Sequence, residues 1–355
     1  EPTALRDRAC FPLTKLTASS HTCRIFSGGR VKCWGLNSAA GQLGLGHRID
    51  LGDGPNEMGN SLPFVDLGSG GLVAQSISSG HGHNCVVFDD GKVKCWGQND
   101  NGQLGQGDEK FRGGSVGEMG DALPFVNLGG RTAKDVIAGF HHSCALLDDG
   151  QVVCWGRNSN GQLGQGHSDN LGDDPNEMGG NLPVVDLGKG RTAQSISAKG
   201  NFTCALLDND HVTCWGANFG GQLGQGHTKD LGDDPNEMGD KLSVVDLGTD
   251  RTAKQIVAGL GAACALLDDD TVKCWGTNFG GQLGQGHTNS LGDNPGELGD
   301  NLTAVALGTG RTAQSIVVNG TQACALLDND SIKCWGSNFS GELGQGHIEN
   351  IGDNP

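Results

Sequence analysis

The segment that decides the fold is Cys264-Ala-Leu-Leu-Asp-Asp-Asp-Thr-Val-Lys-Cys274-Trp275-Gly276. Two short apolar runs flank an acidic, turn-forming tripeptide, which is the pattern of a β-hairpin. The same pattern returns at Cys23–Trp34, Cys85–Trp96, Cys144–Trp155, Cys204–Trp215 and Cys324–Trp335, the starts lying 62, 59, 60, 60 and 60 residues apart. Each copy continues into a Gly-rich turn such as Asn278-Phe-Gly-Gly-Gln282-Leu-Gly-Gln-Gly-His287. An acidic loop follows, for example Leu231-Gly-Asp-Asp-Pro-Asn-Glu-Met-Gly239. Two more short apolar stretches, of the kind Leu182–Leu187 and Thr192–Ser197, then complete the complete copies.

Four short apolar segments separated by turn signals, with no helical period, predict a four-stranded antiparallel sheet. One such sheet cannot cover both of its faces, whereas sheets stacked around a closed ring cover one another and leave short, protected edges. The expected fold is therefore all-β, a single β-propeller of six blades with four antiparallel strands each. The repeats run at about 17–68, 69–128, 129–187, 188–247, 248–307 and 308–355, with residues 1–16 closing the ring. The last copy stops at Pro355, before its apolar stretch is due, and Phe11-Pro12-Leu13 is expected to supply the missing strand. The abrupt stop points to a longer parent chain. The start at Glu1-Pro2-Thr3, with neither Met nor an apolar leader, points to a mature or trimmed product.

The run from His142 to Gly166, HSCALLDDGQVVCWGRNSNGQLGQG, resembles the repeat signature of the regulator-of-chromosome-condensation family. The resemblance extends over nearly the whole chain and implies a propeller. It implies function less directly, because that fold hosts exchange factors, secreted inhibitors and extracellular arrays. The later copies depart from the pattern, the usual His before Cys becoming Phe202, Ala262 and Gln322, so that position reads as structural.

The 355 residues include 63 Gly and no Tyr, and carry 24 basic against 41 acidic side chains, a formal charge of −17. Such a chain repels a phosphate backbone, and no basic stripe offsets this, so a nucleic-acid partner is not expected. No apolar run is long enough for a membrane-spanning helix. No nucleophile elbow, phosphate-binding loop, dinucleotide fingerprint or zinc-protease helix is present, and the reading is of a protein that is not an enzyme.

Twelve of the 13 Cys form six pairs ten positions apart: Cys23 and Cys33, Cys85 and Cys95, Cys144 and Cys154, Cys204 and Cys214, Cys264 and Cys274, Cys324 and Cys334. If Leu267 meets Thr271 across a three-residue loop, Cys264 lies opposite Cys274, within disulfide reach. Disulfides are the favoured reading and imply an extracellular or otherwise oxidising compartment. Buried thiols and zinc are the alternatives; zinc would need four ligands where each hairpin offers two Cys. Cys10 is left unpaired. In a secreted eukaryotic protein Asn201, Asn301 and Asn319 are glycosylation candidates, whereas Asn338 in the sequon Asn338-Phe-Ser340 is expected to cap its turn and carry no sugar.

The acidic loop is the best metal candidate. Asp233, Asp234, Asn236 and Glu237, with the equivalent Asp173, Asp174, Asn176 and Glu177, offer the hard oxygens that calcium prefers, although no copy has an established calcium-loop spacing. The alternative is a solvated turn whose Asp and Asn bond their own backbone. The recurrent His47, His167, His227, His287 and His347 suit a polar partner for the loop backbone, since repetition argues against catalysis. His81, His83, His141 and His142 break the repeat and are expected to cluster between the second and third copies. Phe111 and Arg112, in the copy that departs furthest from consensus, are the candidate partner contacts. The reading for function is a non-enzymatic, extracellular binding or structural propeller that presents loops to a protein or glycan partner. The alternatives are a calcium-dependent, self-assembling surface protein, and a small-GTPase or chromatin regulator like the nuclear family member.

Overall fold

Short strands joined by Gly-rich turns build the whole molecule in the computed structural model, which describes residues 16–354. The first sheet comprises β1 (Leu16–Ala18), β2 (His21–Ile25) and β3 (Val31–Gly35), and the second β4 (Ala74–Ser79), β5 (His83–Phe88) and β6 (Val93–Gly97). The third holds β7 (Ala133–Ala138), β8 (His142–Leu147) and β9 (Val152–Gly156), and the fourth β10 (Ala193–Ala198), β11 (Phe202–Leu207) and β12 (Val212–Gly216). The fifth holds β13 (Ala253–Ala258), β14 (Ala262–Leu267) and β15 (Val272–Gly276), and the sixth β16 (Ala313–Asn319), β17 (Gln322–Leu327) and β18 (Ile332–Gly336). All six are antiparallel meanders with their strands in chain order.

The hairpin register is the one the sequence implies. Cys264 faces Cys274, and the Leu267 amide donates to the Thr271 carbonyl at 2.9 Å across the loop. Asp270 completes that loop in the left-handed region at φ 65°, a conformation Asp tolerates better than most residues. Each of the six Cys pairs is a disulfide joining the second and third strands of its own sheet, with Cα atoms 4.0–4.2 Å apart. Closing so short a loop restricts the unfolded chain by at most about 3 kcal/mol per bridge.

The sheets have three strands, not the expected four. The fourth apolar stretch does lie along the edge of the third strand, but it touches it at one point. The amides of Val65, Val126, Val185, Val245 and Val305 donate to the carbonyls of Val31, Val93, Val152, Val212 and Val272, each at 2.8 Å. A 3-10 turn such as Gly179–Asn181 precedes the stretch, Pro63, Pro124 or Pro183 removes a donor in three copies, and a left-handed glycine such as Gly188 ends it. Pinned at both ends, it buries Leu182, Val185 and Leu187 without extending a ladder.

Successive sheets pack face to face. Cys85, Val87, Val93 and Cys95 on one face of the second sheet meet Val136, Ala145, Leu147, Val153 and Trp155 on the facing side of the third. Each joint is fastened the same way. The indoles of Trp96, Trp155, Trp215, Trp275 and Trp335 donate to the carbonyls of Gln42, Gln103, Gln162, Gln222 and Gln282 of the preceding sheet, at 2.9–3.1 Å. The acidic loop of each copy also lies on the Gly-rich turn of the one before, as where the Gly166 amide reaches the Gly232 carbonyl at 2.9 Å. A Cβ on Gly161 would sit 2.3 Å from the Asp233 amide nitrogen, so this turn admits only glycine.

These joints link the six sheets in sequence. Among the described residues no hydrogen bond links the sixth sheet to the first. The expected closing segment Phe11–Leu13, and Cys10, lie outside the described residues.

Candidate interaction surface

Each third strand ends in Trp-Gly and runs into a turn that is tied back to the loop between the first two strands. The Ala217, Thr277 and Ser337 amides donate to the carbonyls of Asn201, Gly261 and Thr321 at 2.8–3.0 Å, and those of Gln98 and Arg157 do the same to Gly82 and His141. These turns therefore gather at one end of all the sheets. The turn itself is rigid: Asn278 is fully buried, its amide group donating to the His287 carbonyl and its side-chain oxygen accepting from the Leu283 amide. The residue after this Asn is thereby held outward.

That outward residue is Phe in three consecutive sheets. Phe219, Phe279 and Phe339 are 66%, 78% and 74% exposed, while Ser38, Asp100 and Ser159 hold the same position in the first three sheets. Gly261 leaves room for the Phe219 ring, which leans onto the fifth sheet beside the half-exposed Leu260. One exposed aromatic needs no explanation, but the same outward ring on three neighbouring sheets marks a candidate contact surface.

The other half of this end is polar. His81 stacks on Phe140 with ring centroids 4.3 Å apart, and the His81 and His141 rings lie 5.9 Å apart. Burial lowers the pKa of His141, with Asp100 acting in the opposite sense. A backbone chain knits the inner loops, the His81 amide reaching Phe140, Phe140 reaching Gly200 and Gly200 reaching Gly259. Lys199 crosses from the fourth sheet to the Ala18 carbonyl of the first at 2.7 Å, and burial lowers its ammonium to a pKa of about 8.

The four irregular histidines thus separate into two kinds. His81 and His141 meet at the surface, whereas His83 and His142 are fully buried and bond Ser143 and Thr203 of the next sheet at 3.0 Å through Nε2. The repeated histidines hold their own loops: the backbone amides of Ile49, Asp169, Lys229, Asn289 and Glu349 donate to Nδ1 of His47, His167, His227, His287 and His347, each at 3.2 Å.

The acidic loops fold around their own carboxylates. Glu237 accepts the Gly232 and Asp234 amides at 2.9 and 3.1 Å and the Lys229 ammonium at 2.5 Å, and Glu177 accepts the Gly172 and Asp174 amides. Asn176 and Asn236 sit in the left-handed region at φ 72° and 69°. Burial and the neighbouring Glu raise the carboxyls of Asp173 and Asp233, while Asp234 is exposed. Among the described residues no three His, Cys, Asp or Glu side chains converge as a metal ion requires. In these loops the Glu177 and Glu237 carboxylates are taken up by backbone amides, while Asp173 Oδ1 and Asp233 Oδ1 are buried without a hydrogen-bond partner.

Arg112 forms a bidentate pair with Asp108, at 2.9 and 2.8 Å, and Phe111 lies half-buried beneath Arg48. Arg112 also bonds Gly97 in the place that Leu171 and Leu231 take against Gly156 and Gly216. Asn338 is fully buried, Asn201 is partly covered, and Asn301 and Asn319 are exposed. At the far end of the sheets the acidic hairpin tips carry their own cations, Arg191 on Asp208, Arg251 on Asp268 and Asp269, and Arg311 on Asp328. The exposed phenylalanines were missed in the sequence; the signal was an aromatic standing where the earlier copies have Ser or Asp.

Two family profiles, both described as Regulator of chromosome condensation (RCC1) repeat, match the chain. One matches residues 74–103, 133–162, 193–222 and 253–282, the other residues 90–146 and 149–206. The ultraviolet-B receptor UVR8 of Arabidopsis thaliana is 27% identical over 321 residues, 90% of this chain and 63% of its own. The mitochondrial RCC1 domain-containing protein RUG3 of the same plant is 28% identical over 59% of this chain and 42% of its own, so the chain spans less than two thirds of either. Among solved structures, human WBSCR16 superposes with a TM-score of 0.70 at 19% identity, covering 96% of this chain and 82% of its own. Yeast RCC1 (Prp20), solved bound to Kap60, gives 0.69 at 18% identity, with 95% and 72% covered. The fold is that of the RCC1-like propellers, and the chain belongs to the Regulator of chromosome condensation (RCC1) repeat family.

Proposed function

We propose that this protein is a non-enzymatic propeller that binds a protein partner on the face bearing Phe219, Phe279 and Phe339. The row of exposed rings carries this reading. Aromatic side chains on rigid turns lose little entropy on binding and make strong interface anchors. The binding of yeast Prp20p to Gsp1p and histones, and of Kap60 to yeast RCC1, supports a protein as the class of partner. The charge of −17 speaks against a nucleic acid. Replacing all three Phe by Ser should leave thermal stability nearly unchanged, since exposed sites tolerate substitution. The same variant should weaken capture of the cognate partner by at least about 30-fold, the effect of losing roughly 2 kcal/mol of anchoring. Equal capture by both proteins would end this reading.

Six disulfide-bonded hairpins favour a site of action outside the reducing cytosol, in an extracellular or comparable compartment. Intact mass of protein from its source, unreduced and after thiol alkylation, tests this. The expected result is a chain lighter by two hydrogens per pair, with no paired Cys alkylated. Alkylation of all 13 thiols would return the protein to the nuclear or cytosolic setting.

A further inference from the structure

We infer that the fourth sheet carries a binding site for a primary ammonium on an alkyl stem, the chemistry shared by a lysine side chain and a free alkylamine. The residue before the second Cys of each hairpin sets this up. In the second and fifth sheets it is Lys94 and Lys273, 3% and 9% exposed. The Lys94 ammonium donates to the Leu67 and Gly120 carbonyls at 2.9 and 2.8 Å, and the Lys273 ammonium to those of Leu247 and Gly299, each at 2.9 Å. Burial disfavours the charge on Lys94, and Asp121 and Asp66 offset this. The third sheet has Val153 at the position, and there Arg131 takes over. Its guanidinium donates to the equivalent Leu128 and Gly179 carbonyls at 2.6 and 3.0 Å.

The fourth sheet uses neither device. Its residue is Thr213, and Arg191 pairs with Asp208 instead. Among the described residues no side chain bonds the corresponding Leu187 and Gly239 carbonyls, and the hydroxyl of Thr213, itself 3% exposed, is buried without a hydrogen-bond partner. A second donor is replaced as well. Ser69 and Thr249 give their hydroxyls to Oδ2 of Asp121 and Asp300 at 2.6 and 2.5 Å, whereas Lys189 at that position gives Asp240 its backbone amide, on Oδ1. Thr213, Gly239 and Asp240 line one cavity of about 250 Å³, with Leu187, Leu207 and Leu242 as its apolar walls. An ammonium has three donors for such a set of oxygens, and the apolar walls suit the methylenes behind it. A bare metal ion would leave those walls uncovered, so the occupant is an alkylammonium.

Calorimetric titration of the 355-residue chain with n-butylammonium, in a buffer free of other amines, tests this. The wild type should bind the amine, and 1-butanol should bind at least about tenfold more weakly, since a hydroxyl lacks the charge. Thr213→Lys supplies in the fourth sheet the ammonium that Lys94 and Lys273 supply in theirs, and it should abolish binding. Lysine capped at both ends separates the two sources. Binding as tight as that of butylammonium assigns the site to a lysine of a polypeptide, and binding of butylammonium alone assigns it to a free amine. A wild type that binds neither amine, as it would if Arg191 turned in from Asp208 in solution, overturns the inference. So does equal binding of 1-butanol, or a Thr213→Lys variant that binds like the wild type. If that variant fails to fold, the comparison with 1-butanol decides on the wild type alone.

Discussion

Trp155→Ala is expected to lower the unfolding free energy by about 4 kcal/mol, among the largest losses available to one substitution outside the disulfides. The indole is fully buried between the second and third sheets, and it donates to the Gln103 carbonyl at 3.0 Å. That carbonyl also accepts the Ser143 hydroxyl at 2.9 Å, so it keeps a partner and the loss is chiefly that of a cavity and its contacts. For a cooperative unit of this size the fall in melting temperature is roughly 5–8 °C. Trp34→Ala serves as the internal comparison. Its half-exposed ring fills less buried space, so the loss should be under half as large. Equal losses at the two positions, measured by calorimetry, would refute the account of the joints.

Why the repeat was legible, and the surface was not, follows from what each is made of. Hairpin geometry is local: a ten-residue separation, an acidic turn and two apolar runs suffice to set Cys264 opposite Cys274. The fourth strand failed because apolarity alone does not make a ladder. The stretch Leu182–Leu187 is held between a 3-10 turn and Gly188, and it meets the third strand only around the Val185 amide, at the isolated Val153–Val184 bridge. Three positions show why site chemistry is hard to read from the linear sequence, since each side chain has two uses. Glu237 has the oxygens for a cation but gives them to its own loop, Arg112 has the charge for a partner but gives it to Asp108, and His83 has ligand nitrogens but is buried against Ser143. In each case the choice depends on a neighbour that the linear sequence does not place. The exposed phenylalanines depend on the third dimension in another way, since whether Phe279 faces water is decided by the buried Asn278 beside it.

The buried histidines should make the protein acid-sensitive well above the range where its carboxylates titrate. His21 bonds Asn84 through Nε2 at 2.7 Å between the first and second sheets, and His142 bonds Thr203 between the third and fourth. Burial lowers His21 to a pKa of about 4, with Lys199 and His81 adding to the effect, and lowers His142 to about 3, with His141 adding to it. His83 is lowered in the same direction, by burial and then by His141 and His142. In the unfolded chain these imidazoles take up a proton near pH 6.5. As pH falls below that value the unfolded state binds protons that the native state refuses, so stability is full at pH 8 and falls as the solution is acidified. At pH 5 the loss from His21 and His142 is about 2 kcal/mol each. Asp135, Asp173, Asp233 and Asp293 act the other way, since burial raises their carboxyls and the fold retains their protons as pH falls. His142→Phe isolates one contribution, because Phe202 fills the same position in the fourth sheet and is fully buried. Thr203 keeps its bond to the Gln162 carbonyl in that variant. Urea unfolding at pH 8 and pH 5 should show the difference between the two pH values shrink by about 2 kcal/mol in the variant. If wild type and variant lose the same stability on acidification, the buried histidines are not what makes the joints between these sheets sensitive to acid.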